Sequence, residues 1–257
     1  MTSVADVIGT VRDHPGLTVN EVMGTCGCTH DDIRRAIRTG RVFPTDIFLT
    51  DTDCRLYVPG AAERVIPCNW CITAFDEPGR IRVLDTETTG LDPSVDGILQ
   101  VAVIDGNGRT LFESYVHPYE KREWPKAERV NGISPEMVRD VPSMAELRPA
   151  INRALEDAEL IIGYNVGFDL SFLRSKGVTV PTVDTCDVMR DFAYIWGEWA
   201  DWADDGWVWQ KLSTCAHYYG YSFDAHDALE DARATLHCCR RIMWDLVDGR
   251  RRVRERV

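Results

Sequence analysis

The feature that most limits what this chain can fold into is a short run, Ile81-Arg82-Val83-Leu84, that leads directly into Asp85-Thr86-Glu87. The run reads as a strand. Side chains alternate along a strand, so Asp85 and Glu87, two apart, point to the same side. Thr88-Thr89-Gly90 follows, with small polar residues and a glycine where backbone can approach a ligand closely. A D-x-E tripeptide at a strand end is common in isolation, and its weight depends on its company.

Strand patterns at 81–85, 98–104 and 110–116, the last two separated by the turn Asp105-Gly106-Asn107-Gly108, predict three antiparallel strands. Helical patterns follow over 127–139 and 144–158, then a buried strand at 160–163, a helix from Asp169, a short strand near Val183, and helices from Cys186 and Asp227. This succession is the one expected of an α/β protein with a ribonuclease H-like mixed sheet flanked by helices.

Two more carboxylate fragments stand at element edges. Ile161-Ile162-Gly163-Tyr164-Asn165-Val166-Gly167-Phe168-Asp169 is an apolar strand that breaks at Gly163 and delivers Asp169 at or near a helix start, where aspartate is also favoured merely as a cap. His226-Asp227-Ala228-Leu229-Glu230-Asp231 sets a histidine before the last long helix and an aspartate in its first turn, where the helix dipole favours acids anyway. Each fragment alone has an ordinary structural explanation. Three in this order, each at the edge of an apolar segment and the last paired with a histidine, do not arise readily by chance.

The stretches VLDTETTGL, YNVGFDLSFL and HDALEDARATL resemble the three motifs of the DEDDh 3′–5′ exonucleases, the superfamily of the proofreading epsilon subunit of bacterial replicative DNA polymerase and of ribonuclease T. The resemblance covers roughly residues 81–244 and leaves out 1–75. Its most specific part is the H-x-x-x-x-D spacing, which separates this branch from one that uses tyrosine three residues nearer the aspartate.

The chemistry such a site performs accounts for the residue types. Hydrolysing a phosphodiester requires hydroxide to attack an anionic phosphorus while an alkoxide leaves, and two cations about 4 Å apart can stabilise both oxygens. Hard divalent ions, Mg2+ or Mn2+, want oxygen ligands, which suits Asp85, Glu87, Asp169 and Asp231 and the lack of cysteine in the set. The resemblance implies that Asp85 bridges the two metals, that Glu87 and Asp231 complete one site, and that Asp169 serves the other. It gives His226 the role of general base, suited to an imidazole that exchanges protons near neutral pH. It also implies that Thr88, Thr89 and Leu91 meet the terminal nucleotide and that Asn165 helps hold it; Asn131 stands where the family often has histidine. The expected substrate is the 3′ end of single-stranded or frayed DNA. A 3′ exoribonuclease is the alternative, and a nucleic-acid-binding regulatory protein a more distant one.

Upstream, Val4, Val7, Ile8 and Val11 recur at helical spacing behind Ser3, and Thr18-Val19-Asn20-Glu21 and Thr29-His30-Asp31-Asp32 each resemble a capping box. Three short helices and a β-prone stretch at 42–58 make a small winged-helix-like domain. It is expected either to bind DNA, through Arg34, Arg35, Arg38 and Arg41, or to serve as a cap or protein-docking element. The domain layout is therefore 1–75 with its linker, an exonuclease domain over 76–247, and an arginine-rich tail over 248–257. Cys68-Asn69-Trp70-Cys71 is a C-x-x-C knuckle whose spacing suits structural Zn2+. Only Cys26-x-Cys28 offers further paired thiolates, Cys54 stands alone, and buried free cysteines are the favoured reading.

The net charge of −12 weakens long-range attraction to phosphate, yet a carboxylate site would itself contribute to that acidity. No apolar stretch is long enough for a spanning helix, and the N-terminus lacks the basic-then-apolar pattern of a signal peptide, so a cytoplasmic protein without membrane partners is expected. Trp196, Trp199, Trp202, Trp207 and Trp209 crowd a short stretch; at that density packing is favoured over base stacking.

Overall fold

The computed structural model describes residues 2–38, 42–44, 56–57, 78–198, 200 and 207–248. Cys54, Cys68, Cys71, Trp199, Trp202, Arg41 and the arginines at 250–256 lie outside the described residues. The chain divides into two compact units, one comprising Met1–Pro78, Met189–Lys211 and Cys238–Val257, the other Gly79–Val188 and Leu212–His237.

The first unit begins with α1 (Val4–Asp13), α2 (Val19–Cys26) and α3 (His30–Arg38), followed by β1 (Phe43–Pro44) and β2 (Leu56–Tyr57), paired antiparallel. Ser3 and Thr18 open α1 and α2 with reciprocal capping boxes, and Thr29 with Asp32 makes the same exchange ahead of α3. α1 contacts both α2 and α3, burying Val7, Val11, Val22 and Ile33. On α3, Arg35 is already engaged by Asp32 and by the carbonyl of Asp31.

The second unit is built on a five-stranded sheet. Its elements are β3 (Ile81–Thr88), β4 (Ile98–Asp105), β5 (Thr110–Tyr115), α4 (Pro125–Asn131), α5 (Met144–Leu155), β6 (Leu160–Gly163), α6 (Val166–Ser175) and β7 (Asp184–Asp187). α8 (Leu212–Tyr218) and the first half of α9 (Ala228–Asp248) complete this unit, while α7 (Val188–Trp196), apart from Val188, and the rest of α9 belong to the first. The strand order is β5-β4-β3-β6-β7. β4 runs antiparallel to both β3 and β5, while β3, β6 and β7 are parallel, so their C-terminal ends share one edge of the sheet.

Every residue of β4 is buried, and Leu84, Val101, Val103 and Ile161 pack with Ile151 and Leu155 of α5 and Phe172 and Leu173 of α6 in one core. The charged residue in the β3 run, Arg82, is buried because its guanidinium donates to the carbonyls of Ala154 and Glu156, which the end of α5 leaves without helical partners.

Several boundaries depart from the pattern-based expectation. The helix expected over 127–139 is only Pro125–Asn131, because Gly132 at φ 69° caps it by donating its N–H to Glu128. The helix expected from Asp169 starts at Val166, behind Asn165 at φ 68°. Cys186 belongs to β7 and the helix begins two residues later. α8 is an addition to the helices expected from the sequence pattern. Of the described tryptophans, Trp207 is buried and Trp196 packs its ring 5.9 Å from that of Phe192, whereas Trp209 is partly exposed with the Arg190 guanidinium 5.6 Å above it. Among the described residues no helix is long and apolar enough to cross a membrane.

Candidate active site

Three segments meet at the edge where β3 and β6 end. β3 keeps its register with β4 through the pair Glu87–Gln100 and then slips between Glu87 and Thr88. Such a bulge bends the strand and ends the pairing beside the two carboxylates. The chain beyond is held tightly: Thr89 donates its N–H to Gly97, and the Gly97 N–H returns to the Thr89 hydroxyl, both at 2.9 Å. Buried Asp96 accepts from Thr89 and from the Asp92 N–H and pairs with Lys121. A Cβ at Gly90 would sit 2.4 Å from the Asp96 carboxylate, so this close approach requires glycine.

From β6, the left-handed turn at Asn165 starts α6 early enough that Asp169 falls in its first turn and points back to β3. One oxygen of Asp169 accepts both the N–H and the hydroxyl of Thr86, at 2.9 and 2.7 Å. Asp169 is therefore no helix cap, as local sequence alone would suggest. In the third segment His226, exposed and at φ 75°, donates its backbone N–H to Asp231 in the first turn of α9. Asp227 caps that helix by accepting from the N–H groups of Leu229 and Glu230. Gln100 fastens the same turn to the sheet, donating to Asp227 and accepting from the Ala228 N–H. The result is that Glu87, His226 and Asp231 each offer a ligand atom within 4.8 Å of the others.

The electrostatics of this cluster are unfavourable in isolation. Burial, then the negative charges of Asp169, Asp231 and Glu87, push the Asp85 carboxyl well above its ordinary range, although part of its surface reaches the edge. Burial is also the largest cause of the rise of Glu87 to about 7, helped by Asp231. Asp169 and Asp231 rise to about 7 by burial too, against the lowering hydrogen bonds from Thr86 and from His226. The charges that bear most on Asp85, those of Asp169, Asp231, Glu87 and Asp227, are all acidic. Oxygen donors crowded without a compensating cation fit a hard divalent ion, and this chain supplies the donors without a thiolate among them.

Beside Glu87 opens a cavity of about 710 Å³ between the end of β3 and α4. Thr88, Thr89 and Leu91 line it, Leu91 being 84% exposed, together with Trp124, Val130, Asn131 and Phe168. Asn165 is not among the lining residues; its backbone N–H donates to Asp187 at the end of β7. Sequence reasoning passed over Thr86, Gln100, Lys121, Trp124 and Phe168. Trp124 is 4% exposed and donates its indole N–H to Ile133, and Asn131 donates to the Thr88 carbonyl, tying α4 to β3. No local pattern marks these residues, because their partners lie far away in the chain.

Comparison with known proteins agrees with this arrangement. Residues 83–238 match the exonuclease family RNase_T. The chain belongs to this family. It is 39% identical over 95 residues to a DNA polymerase III PolC-type of Thermotoga maritima, a match covering 36% of this chain and 7% of that protein. It is 32% identical over 177 residues to a DNA polymerase III subunit epsilon-like protein of Rhodobacter capsulatus, covering 63% of this chain and 23% of that protein. The family domain is thus matched within much longer relatives. E. coli exonuclease I in complex with a dA16 oligonucleotide is similar in fold, with a TM-score of 0.53 at 22% identity, covering 66% of this chain and 42% of that one. Within the RNase_T family, the mixed five-stranded sheet of this chain is the ribonuclease H-like fold expected from its sequence.

Proposed function

We propose that this chain is a metal-dependent 3′–5′ exonuclease that shortens single-stranded or frayed DNA by hydrolysis. The observation carrying this reading is that three segments far apart in sequence bring Asp85, Glu87, Asp169, Asp231 and His226 to one sheet edge beside an open cavity. DNA is favoured over RNA because the relatives are DNA polymerase components and the similar exonuclease I binds a dA16 oligonucleotide.

Asp85, Glu87, Asp169 and Asp231 would hold two divalent cations, magnesium or manganese. When bound, these supply charge that offsets the phosphate and acidify a water molecule. Thr86 fixes one oxygen of Asp169 and leaves the other free to act as a ligand. His226 reaches the cluster from an exposed turn and takes the proton of the attacking water as the P–O3′ bond breaks. Thr88, Thr89 and Leu91 meet the terminal nucleotide at the cavity wall.

The deciding experiment incubates 5′-labelled single-stranded DNA, duplex DNA and RNA with magnesium or manganese, alongside Asp85→Ala. A ladder shortening from the 3′ end of single-stranded DNA, absent with Asp85→Ala, is the expected result. Cleavage from the 5′ end, or none on any substrate, overturns the proposal.

A further inference from the structure

Basic side chains stand on and beside the wall of the cavity next to Glu87; Lys121 is paired with Asp96, whereas Arg122, Lys126 and Arg129 have no acidic partner among the described residues. We propose that Arg122, Lys126 and Arg129 form a phosphate track that holds the single strand on the 5′ side of the nucleotide being removed. The proposal rests on the exonuclease reading above and adds where the rest of the strand runs.

All three side chains are exposed. Among the described residues none takes part in an ion pair or side-chain hydrogen bond, whereas Arg80, Lys121, Arg139, Lys176 and Arg233 of the same unit are each paired with an acid. Lys126 belongs to the cavity wall itself. Arg122 lies between two wall residues, Lys121 and Glu123, and Arg129 directly precedes a third, Val130.

Lys126 and Arg129 are three apart on α4, which sets their Cβ atoms about 5–6 Å apart on one face, a spacing that neighbouring phosphates of one strand can meet. Glu123 opposes them at the wall and Glu128 is half-buried, so the exposed rim is net basic. In a chain of net charge −12, a polyanion is repelled over most of the surface and attracted where unpaired cations gather. A mononucleotide held in the cavity would need no such extension; a strand continuing past the rim would.

The test measures binding of a 5′-fluorescein oligothymidylate of about twelve nucleotides across a salt titration, in an Asp85→Ala background that blocks turnover. Each phosphate contact on single-stranded DNA contributes about 0.7 to the slope of log K against log salt. Arg122→Ala/Arg129→Ala should therefore flatten the slope by about 1.4, while the control Arg148→Ala/Arg153→Ala, exposed arginines of α5, leaves it unchanged. The charge-reversed pair Arg122→Glu/Arg129→Glu should weaken binding further. An unaltered slope with Arg122→Ala/Arg129→Ala, or equal flattening by the α5 control, overturns the track while leaving the exonuclease reading intact. If the protein with wild-type Asp85 cleaves no oligonucleotide, both readings fall.

Discussion

At the scale of single residues, Thr86 shows how an unremarkable side chain gains a role through its partner. It stands between the two acids of the D-x-E tripeptide, and its N–H and hydroxyl both reach one oxygen of Asp169, 83 positions away. A hydrogen bond to a charged group contributes about 1.5–3 kcal/mol. Thr86→Val keeps the shape and the N–H but removes the hydroxyl donor, so manganese affinity measured by calorimetry should fall roughly tenfold or more with little change in fold. Affinity equal to wild type would show that the backbone N–H alone orients Asp169. His226 is the converse case, an exposed ring at the rim of the cluster. His226→Ala should lose roughly 10²- to 10⁴-fold in turnover while still binding manganese. Wild-type turnover in that variant would remove His226 from the base role.

At the scale of elements, the edge of the sheet is assembled by β4 as much as by β3. Gln100 lies directly opposite Glu87 in the strand pair and holds the first turn of α9, which carries His226 and Asp231. Gln100→Leu leaves the Asp227 carboxylate and the Ala228 N–H without these partners, at a cost of about 1–3 kcal/mol. Denaturant midpoints should fall accordingly, and kcat should drop at least tenfold because α9 loses its registration with Glu87. A normal kcat would mean that other contacts place α9. Elements also show where pattern reading succeeds and where it stops. β3, β4 and β6 were legible because apolar runs of strand length are a local signal. The early end of α4 at Gly132 and the early start of α6 behind Asn165 were not, because both depend on residues adopting positive φ, which composition permits but does not announce.

At the scale of the whole molecule, the carboxylate cluster makes stability depend on pH and on metal together. Glu87, Asp169 and Asp231 have folded values of about 7, raised from the ordinary carboxylate range, and Asp85 is raised as well. A raised folded value favours the protonated form in the native state, so its stabilisation is complete below about pH 4 and disappears as pH climbs through about 7. In chelator, the melting temperature should therefore fall between about pH 5 and about pH 8, and magnesium should restore it more at the upper end than at the lower. A metal-induced shift of equal size at both pH values would contradict the shared role of these carboxylates. How much was legible beforehand follows from the range of each interaction. The sequence by itself determined which acids stand at element edges, the two-residue spacing that pairs Asp85 with Glu87, and the helix start that carries Asp231, since each follows from the local geometry of a strand or a helix turn. Only the tertiary structure decided that Thr86 orients Asp169, that Gln100 anchors α9, that Lys121 answers Asp96, and that α4 and β3 enclose a cavity. These contacts join segments tens of residues apart, and strand order and register, which bring them within hydrogen-bonding distance, are properties of the folded sheet that no local stretch of chain encodes.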